Sequence, residues 1–276
     1  MNIIQLVTEK LSSLPCIEGI VLGGSRARGI HTEDSDIDIG IYYKSESFDI
    51  NAINQLAAEL DDDHRSNLVV PPGAWGDWIN GGGWLIINGY HVDLILRDIK
   101  RVEQIINDTE QGIVTANYQT GHPHCYISAM YRGELAISKI QYANKNFYEL
   151  KKQAECYPNA LQKSLADFFM FEAGFSLMLS ESNINKDDLY YVCGHCFRSI
   201  SSLNQVLFAI NREYCINEKK AVKMIGKFKI RPENYKEMVD EIFSLLSTDV
   251  DCLRKGIAIL QRLVDEVKYL KEVHVQ

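Results

Sequence analysis

An excess of positive charge is the first thing this 276-residue chain lacks: 29 lysines and arginines stand against 37 acids, a net charge of −8. Binding of long nucleic acid draws most of its affinity from neutralised phosphates, and no basic stripe runs through the sequence, so a DNA or RNA carrier is disfavoured. An apolar run of the ~18 residues that a membrane span needs is also missing. The seven cysteines are odd in number, scattered, and mostly inside apolar runs. That pattern does not make a disulfide framework, and reduced thiols in a cytoplasmic protein are the simplest account. Cys193-Gly194-His195-Cys196 has no second Cys/His pair at zinc-finger spacing, and its neighbours Tyr191, Val192 and Phe197 read as a packed helix. Met1 to Leu14 lacks a cationic start and a long apolar core, so it is expected to be a helix and not a signal peptide. Internal repeats and low-complexity linkers are absent as well.

What is present is concentrated early. An apolar run from Ile17 to Leu22 reads as a buried strand, Gly23-Gly24 as its break, and Ser25 onward as a helix start, followed by Arg26 and Arg28. Backbone N–H groups at such a turn can bind anionic oxygens, and a helix N-terminus adds favourable partial charge. On a helix the two arginines point to different sides, so at most one meets phosphate and the other is expected to hold the acidic loop at Glu33-Asp34. The next strand carries Asp36 and Asp38, two residues apart and therefore on one face, with Ile37, Ile39 and Ile41 behind. Converging carboxylates repel unless a divalent cation lies between them. A third acid, Asp93, stands in the mostly apolar strand Tyr90 to Leu96. Three acids plus substrate phosphates would suffice for two metal ions.

Gly24-Ser25, the Asp36-Ile37-Asp38 pair and Asp93 resemble the nucleotidyltransferase superfamily that includes DNA polymerase beta, over residues 15–100. Within it the chain looks closest to small-molecule nucleotidyltransferases of the kanamycin type. The resemblance implies transfer of a nucleoside monophosphate, AMP from ATP, to a hydroxyl of a small acceptor such as an aminoglycoside or lincosamide antibiotic, with pyrophosphate released. It implies two Mg²⁺ ions held by Asp36, Asp38 and Asp93, a triphosphate gripped at Gly24 and Ser25, and a homodimer. Its helical half resembles the acceptor-binding half of the same enzymes through Phe171-Glu172-Ala173-Gly174 and Asn211-Arg212-Glu213-Tyr214. There Glu172 takes the part of the base that deprotonates the acceptor. Phe168, Phe169, Met170 and Phe171 predict a partly buried Glu172 with a raised pKa; the other reading is a glutamate on the exposed stripe of an amphipathic helix. Asp187 and Asp188 are rival bases, better placed as helix caps. Other readings are a protein-adenylylating enzyme, an enzyme adding nucleotides to RNA, and a nucleotide-binding module without turnover.

The pattern predicts a mixed-sheet α/β (α+β) catalytic domain over residues 1–145 and an all-α bundle over 146–276, with the site between them. Helices are expected over 3–13 and 50–60, and strands over 17–23, 36–43, 84–88 and 90–97. Asn88-Gly89 makes a tight hairpin that delivers Asp93 beside Asp36 and Asp38. Long 3.6-period stretches follow over 159–181, 187–212, 232–246 and 249–272, with Pro158 and Pro232 at helix starts. Three further features stay open or bland. The Trp- and Gly-rich loop 71–84 is either a binding wall or a plug on the sheet; Asp61-Asp62-Asp63-His64 reads as a solvated helix cap; Gly121-His122-Pro123-His124 reads as a loop turn.

Overall fold

The computed structural model describes residues 2–29 and 31–275. Helix α1 (Ile3–Ser12) starts at a capping box in which the Asn2 side chain accepts from the Ile4 N–H and Gln5 reaches back. Strand β1 (Ile17–Leu22) follows, then the short α2 (Gly24–Ala27), β2 (Ile37–Tyr43) and α3 (Ile50–Leu60), whose cap is Asp49. Strands β3 (Gly81–Ile87) and β4 (Tyr90–Asp98) form the expected hairpin. Asn88 and Gly89 both have positive φ, the requirement of a type I′ turn. Next come α4 (Ile99–Glu110), the two-residue pair β5 (Ala116–Asn117) and β6 (Tyr126–Ile127), α5 (Met130–Ile137), β7 (Lys139–Ala143) and α6 (Lys145–Glu155). The helical part holds α7 (Asn159–Glu181), α8 (Leu189–Ile210), α9 (Ala221–Ile225), α10 (Tyr235–Leu245) and α11 (Val250–His274).

The sheet order is β3-β4-β2-β1-β7, with β2 and β4 parallel and the other neighbours antiparallel. Period-two alternation divides its faces. Ile37, Ile39 and Ile41, Val92, Leu94 and Leu96, and Leu85 and Ile87 all turn to one side and pack on Val7 and Leu11 of α1 and Ile53 and Ala57 of α3. Asp38, Asp93 and Trp84 belong to the opposite face. The hydrophobic core thus fixes which way the acids point: a one-residue slip would send every leucine to the wrong side.

The chain divides into two compact units, one made of residues 1–108, 115–121 and 125–156 and the other of 109–114, 122–124 and 157–276. The first unit runs past residue 145 because α6 belongs to the sheet. Phe147 is buried against the bare Cα of Gly19, where a Cβ would lie 2.3 Å from its ring. In the second unit α7 and α8 pack side by side. Ser199 donates to the Ala173 carbonyl (2.9 Å), and Gln162 donates to the carbonyls of Ala209 and Ile210 (3.1 and 3.2 Å). Pro158 caps α7 as expected, whereas α10 begins three residues beyond Pro232, at a left-handed Asn234. Cys196 is buried with its thiol on Ser180 (3.6 Å), and burial raises the thiols of Cys193 and Cys196, the latter to about 11; both are packing residues.

Candidate active site

The front face of the sheet carries one row of chemistry. Asp38 on β2 and Asp93 on β4 are direct register partners, and Trp84 on β3 is the partner of Asp93. Partners across adjacent strands project to the same side, so the three side chains stand abreast. The row continues into the glycine turn, where the Gly23 N–H donates to the Asp38 carbonyl (2.8 Å). Gly24 adopts φ +57°, and a Cβ there would fall 1.8 Å from Asp38 Oδ2. Glycine is required on both counts: the backbone is left-handed, and the Asp38 carboxylate occupies the space of a side chain.

Asp36 precedes β2, on the loop that Arg26 organises. The Arg26 guanidinium donates to the carbonyls of Ser35 (2.6 Å), Asp36 (3.2 Å) and Glu33 (3.4 Å). Of the two arginines expected to divide phosphate and loop, Arg26 has the loop. Ser25 lies in the first turn of α2 and Arg28 is its C-terminal cap.

The electrostatics follow from the crowding. Burial, and then the negative charges of Asp38 and Asp36, raise the Asp93 carboxyl to about 6, while His91 pulls the other way. Repulsion of this kind suits a divalent cation, whose charge would offset it. Among the described residues no three carboxylate, imidazole or thiolate side chains stand together as a group that could hold a metal ion.

The remaining candidates fall out as follows. Glu172, in the helical unit, is bound by the Arg198 guanidinium and by His124 Nε2 (3.4 Å). Burial pushes its pKa up as the aromatic flanks suggested, but the His124 hydrogen bond and the two positive neighbours outweigh it, and the net shift is downward. The expected raised pKa is thus reversed, because the partners come from α8 and from residues 122–124, distant in sequence. His122 pairs likewise with Glu218 (3.0 Å). Asp188 is the N-cap of α8, accepting from the Tyr191 N–H (3.0 Å). The acid run 61–63 ends α3 with Asp62 and Asp63 exposed, as a solvated cap would, but Asp61 departs from that reading. Asp61 is fully buried, and the Arg65 guanidinium (2.6 Å) holds its carboxyl well below the usual range against the cost of burial, with help from the Ile86 N–H (2.9 Å). Asp62 accepts from the N–H groups of Asn88 and Gly89 (2.8 Å each), which locks the hairpin that carries Asp93.

Loop 71–84 is anchored to the sheet unit. Gln119 accepts from the N–H groups of Trp78 (3.1 Å) and Ile79 (3.3 Å) and donates to the Trp75 carbonyl (2.7 Å). Trp78 stacks on Tyr126 (5.6 Å between centroids), and the Arg101 guanidinium lies over its ring (4.2 Å).

Residues 2–115 match the family model described as nucleotidyltransferase domain. Among solved structures the chain is similar to a nucleotidyltransferase-like protein from Exiguobacterium sibiricum, with 12% identity and a TM-score of 0.47 over 98% of this chain and 77% of that one. Comparison with curated proteins finds no match. No helix among the described residues is long and apolar enough to cross a membrane.

Proposed function

We propose that the protein transfers AMP from ATP to a hydroxyl group of a small molecule, with divalent metal held at Asp36, Asp38 and Asp93. The observation that carries this reading is the register pairing of Asp38 with Asp93 beside Gly24, together with the raised pKa of Asp93. Bound Mg²⁺ would supply charge neutralisation at the transferred phosphoryl group and at the entering and leaving oxygens. The chain's own part is positional. N–H groups of the Gly24-Ser25 turn bind the leaving phosphates, and Arg26 keeps the Asp36 loop closed upon β2. The acceptor oxygen forms a bond to the α-phosphorus as the bond to the bridging oxygen breaks, and pyrophosphate leaves. The hydroxyl proton leaves to a carboxylate base, the part that the kanamycin-type resemblance gives to Glu172. Its lowered pKa keeps Glu172 ionised and paired with Arg198 and His124, which makes it a modest base. An acidic chain of net charge −8 suits a cationic acceptor, and aminoglycoside- or lincosamide-like antibiotics have that character.

The test is incubation with α-labelled ATP and Mg²⁺ against separate pools of aminoglycosides, lincosamides, tRNA and cell extract. Label is expected on a small molecule. Asp38→Asn should lower the rate by at least roughly a thousandfold, and Glu172→Gln by about a hundredfold, since general-base catalysis by a weak base contributes at the low end of its range. Label on protein or RNA, or near-normal turnover by Asp38→Asn, would refute the reading.

A further inference from the structure

Trp84 is the most exposed tryptophan of the chain and stands in the site's own row. It is 61% solvent-exposed although it lies in a strand whose neighbours Gly83 and Leu85 are buried. Its indole is held from behind: Trp75 stacks on it with centroids 4.7 Å apart and planes 24° from parallel. Trp75 can lie there because Gly82 has no side chain; a Cβ on Gly82 would meet the Trp75 ring at 2.7 Å. Trp75 is itself fixed through its carbonyl by Gln119 (2.7 Å) and through its N–H, which donates to the Asn80 carbonyl (3.2 Å). A large apolar ring presented to water on a rigid mount is a costly arrangement for stability alone, and it fits a surface that binds.

Its position selects the ligand. Across the row the order is the glycine turn at the end of β1, Asp38 on β2, Asp93 on β4 and Trp84 on β3. With strands ~4.8 Å apart, Trp84 lies roughly 5 Å from the Asp93 strand and 10 Å from the Asp38 strand, on the side away from the glycine turn. In-line displacement sets the entering and leaving oxygens on opposite sides of the phosphorus. If the leaving phosphates lie at the turn, the acceptor enters from the β4–β3 side, over Asp93 and against Trp84. We infer that Trp84, braced by Trp75, is a stacking platform for the acceptor, and that the acceptor presents a ring face, sugar, aminocyclitol or aromatic, within one ring's reach of the hydroxyl it offers. This rests on the transferase reading above and adds to it a residue and a ligand class. Indole faces stack on flat rings and attract ammonium groups, so an aminated ring would gain twice.

The experiment uses the full chain with Trp84→Ala and Trp84→Phe, Mg²⁺ and α-labelled ATP. The acceptor probes are kanamycin, lincomycin, adenosine and the open-chain polyol sorbitol; affinity for Mg²⁺ with the non-hydrolysable analogue α,β-methylene-ATP is measured separately. Label is expected on a ring-bearing probe and not on sorbitol. Trp84→Ala should raise the KM for that probe about tenfold with kcat changed less than about threefold, and Trp84→Phe should restore most of it. Nucleotide affinity should not move. An unchanged acceptor KM in Trp84→Ala, label on sorbitol alone, or a loss of nucleotide affinity in its place (the mark of a nucleobase platform) would overturn the inference while leaving the transferase reading intact. Nucleotide binding with no label on any probe, in the wild type as in Asp38→Asn, would overturn both.

Discussion

Asp93 shows how a single side chain records the purpose of its surroundings. Half-buried beside two other carboxylates, it is raised to about 6, above the ordinary aspartate value of 3.8. In the metal-free protein this favours the protonated form, so its contribution to folding stability is present below the unfolded value and is lost as pH rises through about 6. A metal ion needs the ionised form, and the proton competes with it. The apparent affinity for Mg²⁺ in the presence of α,β-methylene-ATP should therefore be flat above about pH 7 and weaken by about tenfold per unit below pH 6. Calorimetric titration across pH 5–8 checks this, and a pH-independent affinity would remove Asp93 from the ligand set. Gly24 is the complementary residue, with no room for anything larger because Asp38 fills the space beside it. Glu172 carries the opposite lesson: its aromatic flanks are visible in the sequence, but Arg198 and His124, which decide its protonation, are not.

At the scale of elements, what was legible is what depends on short-range pattern. The Asn88-Gly89 turn, the period-two strands β2 and β4 and the 3.6-period helix α7 lie within a residue or two of where the sequence put them, because local chemistry sets each one. Strand β3 starts at Gly81, three residues earlier than expected. Its glycines look like loop residues in isolation, and they are strand because Val70, Leu94 and Trp75 approach too closely for side chains. Asp61 was misread for a similar reason: a run of acids suggests solvent, whereas Arg65 and the Ile86 N–H make burial tolerable. Helix α6 joins the sheet unit through Phe147, which rests on Gly19. Gly19→Ala should destabilise the protein by about 1–3 kcal/mol through overpacking, seen as a lower denaturant midpoint with an unchanged slope. A neutral effect would mean that α6 shifts freely and is no part of the sheet's frame.

The whole molecule joins a sheet unit, most of it within the stretch that matches the nucleotidyltransferase domain model, to a helical unit, and the two differ in how far the sequence speaks for them. In the first, the glycine pair after an apolar strand, the Asp36–Asp38 spacing and the lone acid of an apolar strand pick out the row from Gly24 to Asp93. Trp84 completes that row only through strand register, since nothing local distinguishes it from Trp75 or Trp78. In the second, side chains such as Ser199, Gln162 and Asn204 bond across helices, so its chemistry is dispersed among contacts that no motif announces. The central claim is that the paired acids of β2 and β4 bind a metal–triphosphate complex. Calorimetric titration of the full chain with Mg²⁺ and α,β-methylene-ATP, wild type against Asp38→Asn, tests it most directly. Saturable binding that needs both metal and nucleotide, and falls by about a hundredfold or more in the variant while the melting temperature holds, is the expected result. Equal affinity in the two proteins would contradict it.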